Sequence, residues 1–392
     1  MQEKFFLLSY ATFFCRNFGG MRSRRSPKLQ KKIVTLQTFN QKTTMLHSLT
    51  QLSSLLSDLP EGQLFVLTDS HTKVHCLPLF AEFIGEKPYH LLTLEAGEEH
   101  KNLASVQVVW DFLLKHHATR EAILINLGGG MITDLGGFAA ATYMRGIRFV
   151  NIPTTLLAMV DASSGGKTGF DYQGVKNAIG TFTPPLATLI HPEYLHTLPA
   201  KELLSGFAEM LKHALIASKE EWVKLLQLAQ EELQQDLWVE ALSTTGALQA
   251  SMAIKEKVVA QDPRETGWRK ILNFGHTIGH AIESAALENN PQPHGYCVLW
   301  GMVAEVYLSV VKAGCPREVL QQLTQIMLQW YGRPQCDCRQ REQLTARMYQ
   351  DKKNNANCSP NFTLLEDIGQ PLINQHIAEA DIDEALEYLF SI

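Results

Sequence analysis

The sequence predicts an α/β protein, in which an N-terminal parallel-sheet domain precedes a mainly α-helical domain. Short apolar runs alternate with helical segments as far as residue 152, which is typical of a parallel sheet with crossover helices. After Pro199 the chain becomes rich in Ala, Leu, Glu, Gln and Lys with few β-branched runs, which favours consecutive helices. We therefore predict an α/β domain over 33–198 and a helical domain over 199–392.

Four short apolar runs are the predicted strands. They cover 64–68, 91–94, 122–127 and 149–152, and Pro153 stops the last one. Apolar residues at helical spacing predict a helix over 105–115. In the second domain the clearest predicted helices are 203–218, 222–233, 239–260 and 274–287.

Composition excludes several classes of protein. Hydrophobic residues make up 45% of the chain and charged residues 19%, which is too apolar for a disordered chain. The net charge of −5 gives no positive field for nucleic acid, and no apolar run reaches the roughly 20 residues of a membrane span. The seven cysteines include no Cys-x-x-Cys pair, which argues against a disulfide framework or a thiolate zinc site. We therefore expect a cytoplasmic globular protein.

Residues 1–32 have a composition of their own, with eight Lys or Arg and one acidic residue. Their apolar stretch, 5–14, is short and lacks the small-residue cleavage site of a secretory signal. We interpret the segment as a disordered leader, with a targeting peptide as the alternative.

A glycine turn follows the third predicted strand. Gly128, Gly129 and Gly130 let the backbone approach a phosphate at a helix N-terminus. The spacing is neither GxGxxG nor a Walker A loop, so a plain tight turn is an equal alternative. Asp134 and the pair Thr154-Thr155 would lie at the same carboxyl edge of the sheet, where such folds bind ligands. Lys167 in a second glycine turn and the following Lys176-Asn177 favour an anion pocket.

Histidines and a carboxylate in an apolar stretch predict a metal site. His276 and His280 are four residues apart, so on a helix both imidazoles share one face. His294 follows at a Pro-His-Gly turn, and Glu209 lies in an apolar helical stretch where an unpaired carboxylate is costly. Glu with two His is a standard catalytic zinc set. Spacing favours His276 with His280 but does not distinguish this pair from His276 with His294, and a pair of polar or capping histidines is the alternative.

Polar residues crowd the region before these histidines. They are Lys255, Arg264, Glu265, Arg269 and Asn273, and they suit an anionic, polyhydroxylated substrate. The residues alone thus predict a nucleotide-dependent metalloenzyme acting on a phosphorylated or acidic sugar-like molecule.

Six segments together resemble the 3-dehydroquinate synthase family of sugar phosphate cyclases. In chain order they are LGGGMITDLGGFAAATYMRGIRF, IPTTLLAMVDASSGGKTGF, GVKNAIG, SGFAEMLKH, RETGWRKILNFGHTIGHAIE and DKKN, within residues 64–365. The resemblance implies a Rossmann-like α/β domain beside a helical domain, with the active site in the cleft between them. It also implies a homodimer, NAD and Zn²⁺ or Co²⁺ as cofactors, and a small sugar acid phosphate as ligand, with neither nucleic acid nor a membrane as partner.

The implied reaction converts 3-deoxy-D-arabino-heptulosonate 7-phosphate to 3-dehydroquinate and phosphate. Its steps are alcohol oxidation, phosphate elimination, ketone reduction, ring opening and aldol closure, since a transient ketone acidifies the neighbouring C–H. The alternatives are a related cyclase acting on sedoheptulose 7-phosphate or glucose 6-phosphate, a metal-dependent polyol dehydrogenase, and a non-catalytic metal-binding protein.

The resemblance also implies a role for each matching residue. Glu209, His276 and His294 would bind the metal, and His280, Lys167, Glu265 and Lys212 would be catalytic. NAD would contact Asp69, Glu98, Lys101, Gly129, Gly130, Asp134, Thr154, Thr155, Asp161, Lys167, Lys176 and Thr197. Substrate would contact Arg145, Lys167, Lys176, Asn177, Lys212, Lys255, Arg269, Asn273, His280 and one of Lys352 or Lys353, with Arg145 supplied by a partner subunit.

Three departures from the family pattern stand near these residues. His71 replaces an Asn of the adenosine-contacting turn, and an extra Asn-Pro-Gln-Pro stretch precedes His294. Tyr296 replaces a Glu that follows the metal His and Gly, so we expect a change in the groups that orient His294.

Overall fold

The computed structural model describes residues 43–46, 49–230, 235–286, 290–335, 338–349 and 360–392. The predicted leader, Lys352 and Lys353 lie outside the described residues. The described strands are β1 Thr44–Leu46, β2 Leu64–Asp69, β3 His90–Leu94, β4 Ile123–Gly128, β5 Arg148–Pro153, β6 Lys167–Tyr172, β7 Val175–Phe182, β8 Ala187–Leu189, β9 Phe362–Asp367 and β10 Gln370–Gln375. The described helices are α1 Leu49–Leu56, α2 Ser70–His75, α3 Leu77–Ile84, α4 Leu103–Lys115, α5 Gly130–Thr142, α6 Ala200–Ala217, α7 Lys219–Gln230, α8 Gln235–Thr244, α9 Ala247–Gln261, α10 His276–Ala286, α11 His294–Lys312, α12 Arg317–Ile326, α13 Cys338–Tyr349 and α14 Glu379–Ser391.

Six strands form a parallel sheet in the order β1-β8-β5-β4-β2-β3. All four predicted strands are confirmed and form its centre and one edge. The strands β1 and β8 were not predicted, because three residues are too few for an apolar run to stand out.

The central strands are apolar because helices cover both faces of the sheet. Along β2, Leu64 and Val66 belong to one hydrophobic core, whereas Phe65 and Leu67 belong to the other. Successive side chains point to opposite faces, so a strand buried on both sides needs a continuous apolar run. Because the strands are parallel, the carboxyl ends of β2, β3, β4 and β5 lie along the same side of the sheet, which we call its carboxyl edge.

The second half of the chain is mainly helical, as predicted. The expected helices 203–218, 222–233 and 274–287 correspond to α6, α7 and α10. The expectation of one helix over 239–260 is wrong, because α8 ends at Thr244 and α9 begins at Ala247. Gly246 between them has a φ of +73°, which a continuous right-handed helix does not allow.

Two antiparallel hairpins complete the described structure, and neither was predicted. One pairs β6 with β7 and follows the second glycine turn, whereas the other pairs β9 with β10. Most of β7 is exposed, so it lacks the apolar alternation by which a half-buried strand is recognised. The first hairpin places Lys167 and Lys176 near the helical half of the chain.

Helix α11 lies at the centre of the helical half. By length and composition it could span a membrane, but 78% of its most apolar window is buried inside the protein. The residues 41–392 form one compact unit, so the boundary at residue 198 stays a prediction. The change of architecture does fall there, between the end of β8 at Leu189 and the start of α6 at Ala200.

Candidate active site

Helices α10 and α11 cross so closely that their backbones touch. A Cβ added at Gly301 would lie 2.0 Å from the carbonyl oxygen of Gly275 and 2.6 Å from the backbone nitrogen of Gly279. Only glycine permits this approach. Since His276 is the first residue of α10 and His294 the first of α11, the crossing brings the two imidazoles together, with ring centroids 5.4 Å apart.

A buried carboxylate fixes the start of α10. Glu305 on α11 is completely buried. Its carboxylate accepts hydrogen bonds from the backbone N–H groups of Gly275 at 2.7 Å, Thr277 at 3.1 Å and Ile278 at 3.3 Å. A carboxylate at a helix N-terminus satisfies otherwise unpaired donors and complements the helix dipole. Glu305 therefore fixes the helical turn that carries His276.

Glu209 completes the cluster from a third helix, α6. One of its oxygens, Oε1, lies 3.6 Å from His276 Nε2 and 3.6 Å from His294 Nε2. The ligand nitrogens of His276, His280 and His294 all lie within 4.8 Å of one another. Of the two pairings that spacing left open, the structure sets His276 and His294 against Glu209, with the His280 ring 5.2 Å and 5.8 Å from the other two.

The donor set fits a divalent metal. Both Glu209 oxygens are buried and accept no hydrogen bond of ordinary geometry from the described residues. The Nδ1 of His276 lies 3.1 Å from the carbonyl oxygen of Phe274, and the Nδ1 of His294 lies 3.3 Å from Glu283 Oε2. These oxygens can only accept, so each Nδ1 donates and each Nε2 faces Glu209, the orientation that a metal-binding imidazole requires.

Lys212 lies one helical turn after Glu209 and forms an ion pair with it. Burial alone would raise the pKa of Glu209, but the Lys212 ammonium lowers it to about 2. Burial alone would lower the pKa of His294, but Glu283 and Glu209 raise it to about 9. A cation arriving here meets an ionised carboxylate and must displace a proton from His294.

A second polar cluster joins the sheet edge to helix α9. Asp161, in a π-helical turn after β5, accepts a hydrogen bond from Lys255 Nζ at 2.6 Å. His213 Nε2 lies 3.7 Å from the same carboxylate, and its Nδ1 is 2.8 Å from Ser251 Oγ. Burial alone would raise the pKa of Asp161, but Lys255 and Lys212 hold it well below its usual value.

Several of the residues expected to bind NAD lie along the carboxyl edge of the sheet. Asp69 ends β2 and caps α2, Gly129 is the N-cap of α5, and Thr154 directly follows β5. Thr155 follows and caps the next turn through the Ala158 N–H. The open N-terminus of α5 at this edge is suited to an anionic group.

Lys101, Asp134 and Glu98 form an ion cluster at the same edge. Lys101 is buried, with Nζ 2.8 Å from Asp134 Oδ2 and 3.5 Å from Glu98 Oε1. Burial alone would lower the pKa of Lys101, but the two carboxylates raise it. The cluster connects the turn after β3 to helix α5.

The expected catalytic residues Lys167 and Glu265 meet the expected substrate-binding residues Asn273 and Arg269. Lys167 forms an ion pair with Glu265, whose other oxygen accepts a hydrogen bond from Asn273 Nδ2 at 2.8 Å. Arg269 is buried and donates to the carbonyl oxygens of Gly165 at 3.3 Å and Pro263 at 2.8 Å. The second glycine turn and the segment before α10 are thus held side by side.

The structure does not bring every expected residue into this region. Arg145 follows α5, whose 13 residues span about 20 Å, and it precedes the amino end of β5, at the opposite edge of the sheet. Thr197 is exposed in the turn before α6, and Asn177 is exposed on β7. Lys176 lies near the histidines, with Nζ 2.7 Å from Glu283 Oε1.

Sequence reasoning missed three buried polar residues. Glu283 follows His276 by seven residues and His280 by three, so helical spacing could have placed it on their face. Glu305 is a lone carboxylate in an apolar helix, the signal that identified Glu209. His213, in the segment that contains Glu209, gave no spacing signal.

Tyr296 was expected to change the groups that orient His294. The ring of Tyr296 packs on Tyr331, with ring centroids 4.8 Å apart, and the side chain that contacts His294 is Glu283.

Comparisons with known proteins identify similar sequences and folds. Family models for the N-terminal and C-terminal parts of 3-dehydroquinate synthase match residues 91–205 and 206–354. The 3-dehydroquinate synthase of Parabacteroides distasonis is 43% identical over 340 residues, which cover 86% of this chain and 94% of that protein.

Two solved structures share the fold. A 2-epi-5-epi-valiolone synthase from Streptomyces hygroscopicus subsp. jinggangensis superposes with a TM-score of 0.77 at 24% identity, covering 91% of this chain and 99% of that one. A 2-deoxy-scyllo-inosose synthase gives a TM-score of 0.74 at 22% identity, covering 88% and 96%.

Proposed function

The chain belongs to the 3-dehydroquinate synthase family, and from this premise we propose that it converts 3-deoxy-D-arabino-heptulosonate 7-phosphate to 3-dehydroquinate and phosphate. The observation that carries the proposal is the buried Glu209 carboxylate facing His276 Nε2 and His294 Nε2, each at 3.6 Å. A metal bound there, beside cationic groups that donate hydrogen bonds to anionic oxygens, suits the elimination of phosphate from a sugar acid.

NAD and a divalent metal, Zn²⁺ or Co²⁺, are the proposed cofactors. When bound, NAD supplies hydride transfer and the metal polarises substrate oxygens as a Lewis acid. Two fold neighbours support the choice, since the valiolone synthase structure contains NAD⁺ and Zn²⁺, and an inosose synthase structure contains NAD⁺ and Co²⁺. The metal would be held by Glu209, His276 and His294. The dinucleotide would be held by the residues described above at the carboxyl edge of the sheet, which lie between Asp69 and Asp161 in the chain.

Basic side chains of this chain would bind the anionic substrate. Lys212 and Lys255 are buried beside Glu209 and Asp161, so their ammonium groups are held in place for anionic oxygens. Lys167, half exposed beside Glu265, and the buried Arg269 would form the opposite side of the substrate site. His280, next to both other imidazoles, would move a proton at a substrate hydroxyl.

A comparison of substrates tests the proposal. The purified protein, supplied with NAD and Zn²⁺ or Co²⁺, is incubated with 3-deoxy-D-arabino-heptulosonate 7-phosphate, sedoheptulose 7-phosphate or glucose 6-phosphate. We expect phosphate release from the first substrate alone and no net NADH. Release from either of the other two would favour a different cyclase, accumulation of NADH would favour a polyol dehydrogenase, and no turnover would favour a non-catalytic protein.

We also propose a cytoplasmic homodimer. Because Arg145 lies at the sheet edge opposite the nucleotide-binding residues of its own chain, a second copy would have to supply it to the substrate. Mixing an Arg145→Ala variant with a His276→Ala variant tests this assignment. If each subunit borrows the arginine of the other, the mixture recovers part of the activity that both parents lack.

A further inference from the structure

Glu283 is a buried carboxylate at the metal-ligand cluster, and none of the proposed steps uses it. It lies on α10, and its side chain is only 4% exposed. One oxygen, Oε2, is 3.3 Å from His294 Nδ1, and the other, Oε1, is 2.7 Å from Lys176 Nζ. Each of its oxygens therefore has a different cationic or donating partner.

We propose that Glu283 is a positioning residue that presents the Nε2 of His294 to the metal. The inference rests on the proposed metal site. Because a carboxylate only accepts hydrogen bonds, Glu283 holds the hydrogen of His294 on Nδ1 and leaves Nε2 facing Glu209 Oε1, 3.6 Å away.

The position of His294 explains why such a partner is needed. His294 is the first residue of α11, and its side chain is 29% exposed, against 10% for His276. A backbone carbonyl holds the Nδ1 of His276, whereas the partner of His294 comes from another helix. The less enclosed imidazole thus depends on a side chain for its orientation.

Lys176 is the partner of the other Glu283 oxygen, Oε1. It comes from β7 of the first hairpin and reaches α10 with Nζ 2.7 Å from Oε1, so the other oxygen is left for His294. The competing interpretation is that Glu283 serves only as an ion-pair partner that joins the hairpin to α10, or as a negative charge near the metal.

Two variants separate orientation from charge. Glu283→Asp keeps the charge but withdraws the oxygens by one methylene group. Glu283→Gln keeps the volume, but its single amide oxygen faces Lys176, so its NH₂ group faces Nδ1 and favours the hydrogen on Nε2, where it blocks coordination. Metal affinity is measured by competition with a chromophoric chelator, and the visible absorption of the Co²⁺-loaded protein reports the coordination. We expect both variants to bind Zn²⁺ about 10–100-fold more weakly and to change the Co²⁺ spectrum.

Control variants complete the design. Glu220→Gln removes a carboxylate whose side chain is 79% exposed and should change neither readout. Lys176→Met breaks the ion pair but leaves Glu283 able to accept from His294, so the Co²⁺ spectrum should stay close to that of the original protein. Unfolding temperatures measured without metal verify that each variant folds. If Glu283→Asp does not fold, the metal-binding test is carried out with the isosteric Glu283→Gln.

The outcomes are distinct. Unchanged metal affinity and Co²⁺ spectrum in Glu283→Asp would overturn the positioning role in favour of a charge effect. A spectral change in Lys176→Met as large as that in Glu283→Gln would overturn it in favour of the ion pair. The proposed function fails, independently of the Glu283 variants, if the original protein binds neither Zn²⁺ nor Co²⁺. It also fails if the original protein releases no phosphate from the substrate.

Discussion

Replacing Glu305 tests how the start of α10, which carries the proposed ligand His276, is held. Glu305→Ala leaves three buried backbone N–H groups, those of Gly275, Thr277 and Ile278, without the acceptor that now lies 2.7–3.3 Å away. Each orphaned donor costs about 1–3 kcal/mol. The alanine variant also no longer has the cost of desolvating a buried carboxylate, which offsets part of this loss. We therefore expect the free energy of unfolding to fall by about 3–5 kcal/mol.

Urea denaturation followed by circular dichroism measures this loss as a lower midpoint. Glu305→Gln keeps one acceptor oxygen and should lose less than the alanine variant. Glu240→Ala, an exposed position on α8, is the control and should stay within about 0.5 kcal/mol of the original protein. A loss below about 1 kcal/mol in Glu305→Ala would refute the reasoning, because three orphaned donors cannot cost so little.

Three further predictions follow from single residues. His276→Ala should abolish both bound zinc and metal-dependent turnover, and a variant that keeps its zinc and a near-normal rate would contradict the ligand assignment. Gly301→Ala places a methyl group 2.0 Å from the carbonyl oxygen of Gly275, so α10 and α11 must separate; we expect a loss of about 1–3 kcal/mol in chemical denaturation and weaker zinc binding, and an unchanged unfolding midpoint would show that the crossing tolerates a side chain. Asp262 accepts hydrogen bonds from the backbone N–H groups of Gly267 and Arg269, which lower its pKa to about 2 although burial alone would raise it. Because the folded-state pKa lies below the unfolded value of 3.8, its stabilisation is complete above that value and is lost as the pH falls toward 2; the difference in unfolding free energy between the original protein and Asp262→Asn should shrink over that range, and a difference independent of pH would argue against it.

The central strands were predictable because each carries enough buried apolar residues to form a run. The three-residue strands β1 and β8 and the mostly exposed β7 carry no such signal. The break between α8 and α9 depends on the positive φ of Gly246. A single glycine in a helical pattern is tolerated often enough that the sequence alone does not establish a break.

Helical spacing alone left the proposed ligand set open, for a geometric reason. Spacing within a helix relates His276 to His280, but His294 comes from a second helix whose crossing depends on Gly301. Local signals for Glu283 and Glu305 were present in the sequence, but their partners, His294 and the start of α10, lie across that crossing and were not predictable from it. Local periodicity describes one element at a time, whereas these contacts arise only when two elements pack.

The three proposed ligands Glu209, His276 and His294 all belong to the helical half, on α6, α10 and α11. The turns proposed to bind the dinucleotide belong instead to the carboxyl edge of the sheet. The proposed metal site is therefore complete within the helical half, and no proposed ligand belongs to the sheet that would hold the dinucleotide. Exchange of the dinucleotide at the sheet would therefore leave every proposed metal contact in place.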